Sequence, residues 1–147
     1  RVPMIVRWPG KVKPGTLCNT PVISMDFYPT FLELANLKPG KQPIDGESLV
    51  PLFKQSGELK RKAIYFHYPN YAWHMDNRLG SVIREGDWKL IRNYDDNSLE
   101  LYNLPGDLSE KKNVAKQNPK LAARLNQKLG NWLKATGAPM PRPPKGN

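Results

Sequence analysis

The sequence is poor in the residues that usually build small metal or redox centres: it has one cysteine and two histidines. Cys18 alone can form neither an intrachain disulfide nor a cysteine-based metal cluster, which leaves the redox compartment open. His67 and His74 fit no zinc-ligand spacing on a helix. Long apolar runs are missing too, and nothing approaches the roughly 20 residues of a membrane-spanning helix. The opening run, Arg1 to Val6, reads as a buried strand and not as a signal peptide, and a chain that opens inside a strand looks truncated. Acidic residues are scarce, 13 against 23 basic, giving a net charge of +10. That balance favours a polyanionic partner such as nucleic acid, a membrane surface or a sulfated glycan, without choosing among them.

At 147 residues the chain has the length of one ordinary domain. Its 39% apolar residues, with 4 Trp, 6 Tyr and 4 Phe, are enough to pack a core, so disorder is excluded. Its 15 prolines argue for many turns and ordered loops over a helix bundle.

Val2 to Trp8 is short, apolar and β-branched and closes on Pro9-Gly10, the pattern of a strand buried on both faces. Ser24 and Asp26 are candidate N-caps for a helix of about three turns, with Phe27, Phe31, Leu34 and Ala35 at helical spacing. Residues 38–62 are broken by prolines and glycines and form a connector, with room for one short helical turn near Ser48 to Phe53.

The remainder changes character. Four strands are expected at Ala63–Tyr68, Ser81–Arg84, Trp88–Arg92 and Leu99–Tyr102. Glu85-Gly86-Asp87 and Tyr94-Asp95-Asp96-Asn97 supply the turns between the last three, making an antiparallel meander. Asp107 to Glu110 has a capping-box pattern. Asn118-Pro119 then opens a long helix with Leu121, Ala122, Leu125, Leu129, Trp132 and Leu133 on one face, ended by Gly137 and Pro139. That stripe is expected to cover one face of the sheet.

The order of these segments carries a resemblance. Arg1-Val2-Pro3-Met4-Ile5-Val6-Arg7-Trp8-Pro9-Gly10 resembles the strand that follows the metal-binding region of sulfatases, and Pro21 to Ala35 is similar to their next helix. Asp45-Gly46-Glu47-Ser48-Leu49 resembles the family's connector. Ile83-Arg84-Glu85-Gly86-Asp87-Trp88-Lys89-Leu90-Ile91, Leu99 to Leu104, and then Asp107, Glu110 and Asn113 follow in the same order. On these motifs the chain resembles the C-terminal portion of an arylsulfatase-type enzyme of the alkaline-phosphatase-like superfamily.

The resemblance implies an α+β fold. Residues 1–62 would supply the closing strand, helix and connector of an α/β catalytic domain, and residues 63–147 a C-terminal subdomain of four antiparallel strands against a long helix. It also implies a parent that hydrolyses sulfate esters, of a carbohydrate in particular, and that is periplasmic or secreted. In the family a formylglycine hydrate, made from cysteine in a Cys-x-Pro-x-Arg motif, attacks sulfur, calcium polarises the ester oxygens, and Lys and His groups handle protons. Cys18 lies in Leu17-Cys18-Asn19-Thr20-Pro21 and does not fit that motif. The nucleophile and the calcium site are therefore expected in the missing N-terminal catalytic domain, the segment alone is expected to be inactive, and no catalytic residue, metal ligand or cofactor is assigned here.

The segment His67 to Arg78 packs aromatic, imidazole and guanidinium groups into a long connection between two strands. In sulfatases resembling this chain, that loop faces the active-site mouth. His67, Tyr71, His74 and Arg78 are the candidate substrate contacts, with rings against sugar faces and donors to hydroxyl or sulfate oxygens. The bland reading makes the aromatics packing residues and pairs Arg78 with Asp76. Two further classes compete with recognition: a basic module binding a sulfated glycan or nucleic acid, and a purely structural subdomain. No nucleic-acid motif is present and neither a nucleic-acid nor a membrane partner is expected. Self-association is expected through the exposed first strand and helix.

Overall fold

The computed structural model describes residues 2–70 and 77–141, which divide into two compact units meeting between Lys62 and Ala63. In the first unit a 3-10 turn, Ser24–Asp26, leads into α1, Phe27–Leu34, and a short α2 follows at Val50–Phe53. Asp26 and Thr30 are its buried polar centre. The Thr30 hydroxyl donates to the Asp26 carbonyl (2.5 Å) and accepts from the Leu49 amide (2.9 Å), which seats fully buried Leu49 against the helix.

The Asp45-Gly46-Glu47-Ser48-Leu49 connector is thereby explained physically. Gly46 passes so close to the preceding turn that a Cβ there would sit 2.1 Å from the Met25 carbonyl oxygen. The Glu47 amide donates to Asp26 (3.0 Å), and the Glu47 carboxylate accepts from the Lys60 and Arg61 amides, both at 2.6 Å.

One expectation for this unit needs correction. Val2 to Trp8 forms no strand: the described residues offer it no ladder partner, and Ile5 is 92% exposed. The 3-10 turn and α1 together give the expected helix of about three turns, and its apolar stripe faces outward, with Phe31 63% exposed and stacked on Phe27. What the helix buries is polar, because Asp26 and Thr30 hold the connector.

The second unit contains β1 (Ala63–Tyr68), β2 (Gly80–Glu85), β3 (Trp88–Asn93) and β4 (Leu99–Asn103), followed by α3 (Pro119–Ala135). The strands form one antiparallel sheet in sequence order, as the alternation and turn residues indicate. Glu85 pairs with Trp88 across the two-residue turn Gly86-Asp87, and Gly86, at φ +56°, supplies the positive φ that a tight hairpin requires.

Period two sends Ile83, Leu90 and Leu101 to one face, where Ala122, Leu125, Leu129 and Leu133 of α3 cover them. Tyr65 stacks flat on Trp132, ring centroids 4.8 Å apart. Arg92 fastens the helix further, its Nε donating to Asn126 Oδ1 (2.6 Å) and its Nη2 to the Asn126 carbonyl (2.8 Å). Glu85 accepts from both Arg124 and Lys128. Burial pushes the Glu85 carboxyl up, but these two cations outweigh it and hold the group below its ordinary value.

One capping expectation fails here and one holds. Asp107 to Glu110 precedes no helix: the Asp107 carboxylate accepts from the Lys111 and Lys112 amides (3.0 and 2.8 Å) in a loop. Asn118 is the N-cap of α3, with Pro119 at its first position and the Asn118 carbonyl accepting from the Ala122 amide (3.0 Å), while its side-chain amide donates back to the Val114 carbonyl (3.1 Å).

Candidate functional site

The connection between β1 and β2 starts and ends at one end of the sheet, since Tyr68 pairs with Gly80. Alternation along β1 splits its side chains: Tyr65 and His67 lie toward α3, while Phe66 and Tyr68 point to the opposite face and stay about half exposed. A cavity of about 450 Å³ opens there, lined by Phe66, Tyr68, Val82 and Ile91, with Arg78, Asn93 and Glu100 as polar members and with Gly80 and His67 also bordering it.

Arg78, two residues ahead of β2, comes within 3.5 Å of Glu100 on β4, yet its side chain remains 74% exposed. Glu100 is engaged elsewhere: its Oε1 accepts from Asn93 Nδ2 (2.9 Å) and its Oε2 from the Tyr102 hydroxyl (2.6 Å). Burial, and then the adjacent Glu100 carboxylate, raise the Tyr102 phenol above its ordinary value, so it stays a hydrogen-bond donor. Glu100 is thus fixed, and Arg78 is loosely attached to it with most of its guanidinium open to solvent. An exposed, planar, permanently charged fork beside two half-exposed rings can take an anionic group on a ring-shaped ligand.

His67 is placed differently. Its Nδ1 lies 2.6 Å from Ser81 Oγ and its Nε2 2.7 Å from the Pro139 carbonyl oxygen. Ser81 is fully buried and its hydroxyl also contacts the Tyr94 hydroxyl (2.7 Å), while the Tyr94 ring meets the imidazole edge-on. Both ring nitrogens of His67 are therefore occupied by the protein itself. Tyr71 and His74 lie outside the described residues, as does Asp76. Of the four candidates, then, His67 and Arg78 lie among the described residues; both border the cavity, but the His67 ring nitrogens are engaged by Ser81 and Pro139 while the Arg78 guanidinium is largely exposed.

Sequence reasoning passed over Phe66, Asn93 and Glu100. Phe66 was findable, since period two places it opposite Tyr65 once that ring is assigned to the core. Glu100, on a strand three elements away, carried no local signal. Among the described residues no three of His, Cys, Asp and Glu come together to hold a metal ion. The described residues therefore offer no fit for calcium, which takes about six to eight oxygen ligands. No helix is long and apolar enough to cross a membrane among the described residues.

Residues 1–135 match the family described as N-sulphoglucosamine sulphohydrolase, C-terminal. The chain belongs to this sulfatase family. It is 36% identical to a sulfatase of Formosa agariphila, with 95% of this chain covered and 28% of the relative. It is 34% identical to the N-acetylglucosamine-6-O-sulfatase of Bacteroides thetaiotaomicron, over 78% of this chain and 21% of that protein. The chain thus spans about a quarter of the length of these relatives and corresponds to the sulfatase C-terminal region.

Among solved structures, one determined with its substrate D-glucosamine-2-N,6-O-disulfate aligns with a TM-score of 0.58 and 32% identity, covering 76% of this chain and 23% of that one. A sulfatase from Bacteroides fragilis aligns with a TM-score of 0.72 over 90% of this chain and 29% of its own. At 21% identity it speaks for the sulfatase fold alone.

Proposed function

We propose that this chain is the C-terminal part of an enzyme that hydrolyses sulfate esters of a sulfated carbohydrate, and that its own share of the work is substrate recognition and structural closure. The observation that carries the reading is the family match along residues 1–135. The cavity at the sheet's end, with Arg78 beside Phe66 and Tyr68, supports the recognition role. The glucosamine sulfates named with two relatives make a sulfated amino sugar the substrate class to test first.

In this reading residues 1–62 complete a catalytic domain and residues 63–147 form the C-terminal subdomain. The nucleophile and calcium belong to the catalytic domain, and the parent works in the periplasm or outside the cell. Of the connection from His67 to Arg78, Arg78 is the contact we favour for substrate, with Tyr71 and His74 beside it in sequence. The outward stripe of α1 and the unpaired segment 2–8 are where isolated copies of the chain would self-associate.

The test is sulfate release. The intact enzyme should liberate sulfate from a sulfated glucosamine oligosaccharide, and residues 1–147 alone should not. Release by the segment alone, or none from any sulfate ester by the intact enzyme, would overturn the reading.

A further inference from the structure

The hydrogen bonds around His67 allow one arrangement of hydrogens for the neutral ring. A peptide carbonyl can only accept, so the contact to Pro139 requires the hydrogen on Nε2. Nδ1 then carries the lone pair and the Ser81 hydroxyl must donate to it. Ser81, its hydrogen committed, accepts from the Tyr94 phenol. The result is a directed chain, Tyr94 to Ser81 to His67 to the Pro139 carbonyl, that runs from the residue after β3 across β2 and β1 and ends on the segment following α3. Ser81 is fully buried, so the middle of the chain has no water to fall back on.

We propose that His67, although it borders the cavity, is a positioning residue: with both ring nitrogens engaged by the protein and the ring held as the Nε2–H tautomer, it latches the segment after α3 onto the end of β1. Tyr68, the next residue, is the last of β1 and lines the cavity, and the connection to Arg78 departs from it. The latch fixes the base of that connection. Its kinetic consequence rests on the recognition role proposed above, whereas the latch itself does not.

The experiments separate the two. In the intact enzyme, His67→Ala should speed hydrogen–deuterium exchange in the peptide spanning residues 134–141, where the Ala138 amide otherwise donates to the Leu133 carbonyl. His67→Gln, whose side-chain amide can still donate to a carbonyl, should restore part of the protection and guards against misfolding of the alanine variant. Nitrogen-15 imidazole spectra recorded at a pH where the ring is neutral, and assigned by the signal lost in His67→Gln, should show the hydrogen on Nε2. KM for the sulfated substrate should rise roughly fivefold in His67→Ala with kcat little changed, as expected for one lost hydrogen bond that orients a binding element. A neutral ring protonated on Nδ1, or unchanged exchange in His67→Ala, overturns the latch. Faster exchange with an unchanged KM overturns its role in substrate recognition and leaves the sulfatase reading intact.

Discussion

The guanidinium of Arg61 closes on the carboxylate of Asp26 from thirty-five residues away, with Nη2 donating to Oδ2 at 2.6 Å and Nη1 to Oδ1. Oδ2 also accepts from the Ile23 amide and Oδ1 from the Glu47 amide. Arg61 spends a further donor on the Pro21 carbonyl (3.1 Å). One fully buried carboxylate therefore joins the start of α1, the connector and the end of the first unit.

Removing that charge should be costly. Asp26→Asn leaves Arg61 without its counter-ion in a largely buried place and presents an amide hydrogen to a donor, so we expect a loss of about 3 kcal/mol in urea unfolding. Burial pushes the Asp26 carboxyl up, but Arg61 and the two amides prevail and hold it below its ordinary value. A depressed carboxyl contributes stability in full above its unfolded value, about 3.9. That contribution is lost as pH falls through the lower folded value. Wild type should therefore lose stability on acidification through that window more steeply than Asp26→Asn, and parallel pH profiles would refute the assignment.

Gly46 is held by space, not by conformational freedom. A Cβ at this position would lie 2.1 Å from the Met25 oxygen and 2.9 Å from the Asp26 nitrogen, both backbone atoms that cannot turn aside. Gly46→Ala should cost about 3 kcal/mol by forcing the connector off α1. Gly106→Ala, with open space around the Cβ, is the control and should be near neutral.

In the second unit the helix stripe sets stability. Leu129 is fully buried against Ile83, Leu90 and Leu101, and Leu129→Ala should lower unfolding free energy by about 3 kcal/mol. Lys120→Ala, on the exposed side of the same helix, should change it by less than about 0.5 kcal/mol.

What could be read in the sequence follows from the range of each interaction. The four strands and α3 were legible because their signals are local: alternation along β2 and β3, Gly86 at a turn, and Leu125, Leu129 and Leu133 at helical spacing. Val2 to Trp8 has the composition of a strand but is not one here, since a strand is a property of a pair of segments. Asn118-Pro119 reads correctly as a helix start, whereas Asp107 looks like a helix cap because its side chain bonds nearby backbone amides, which it does equally well in a loop. The Asp26–Arg61 pair, the Arg78–Glu100 approach and the His67–Pro139 bond were illegible, because nothing near either partner announces the other. For the candidate site this meant that the loop could be singled out, while the separate tasks of His67 and Arg78 could not.

Arg78 gives the sharpest test of recognition by this segment. Its partner Glu100 is already engaged by Asn93 and Tyr102 and sits 3.5 Å away, so the guanidinium is only partly neutralised and is free to turn to an anion. In the intact enzyme Arg78→Ala should raise KM for a sulfated sugar about tenfold with kcat largely kept, the pattern of lost uniform binding. Arg78→Lys should fall between, because a lysine keeps the charge but not the fork. Glu100→Gln removes one competing negative charge, while the Asp96 carboxylate still acts on Arg78, and should lower KM, with salt dependence steeper than in wild type. If Arg78 only braces the sheet through Glu100, Arg78→Ala and Glu100→Gln should instead shift stability together and leave KM alone, and that outcome would end its candidacy as a substrate contact.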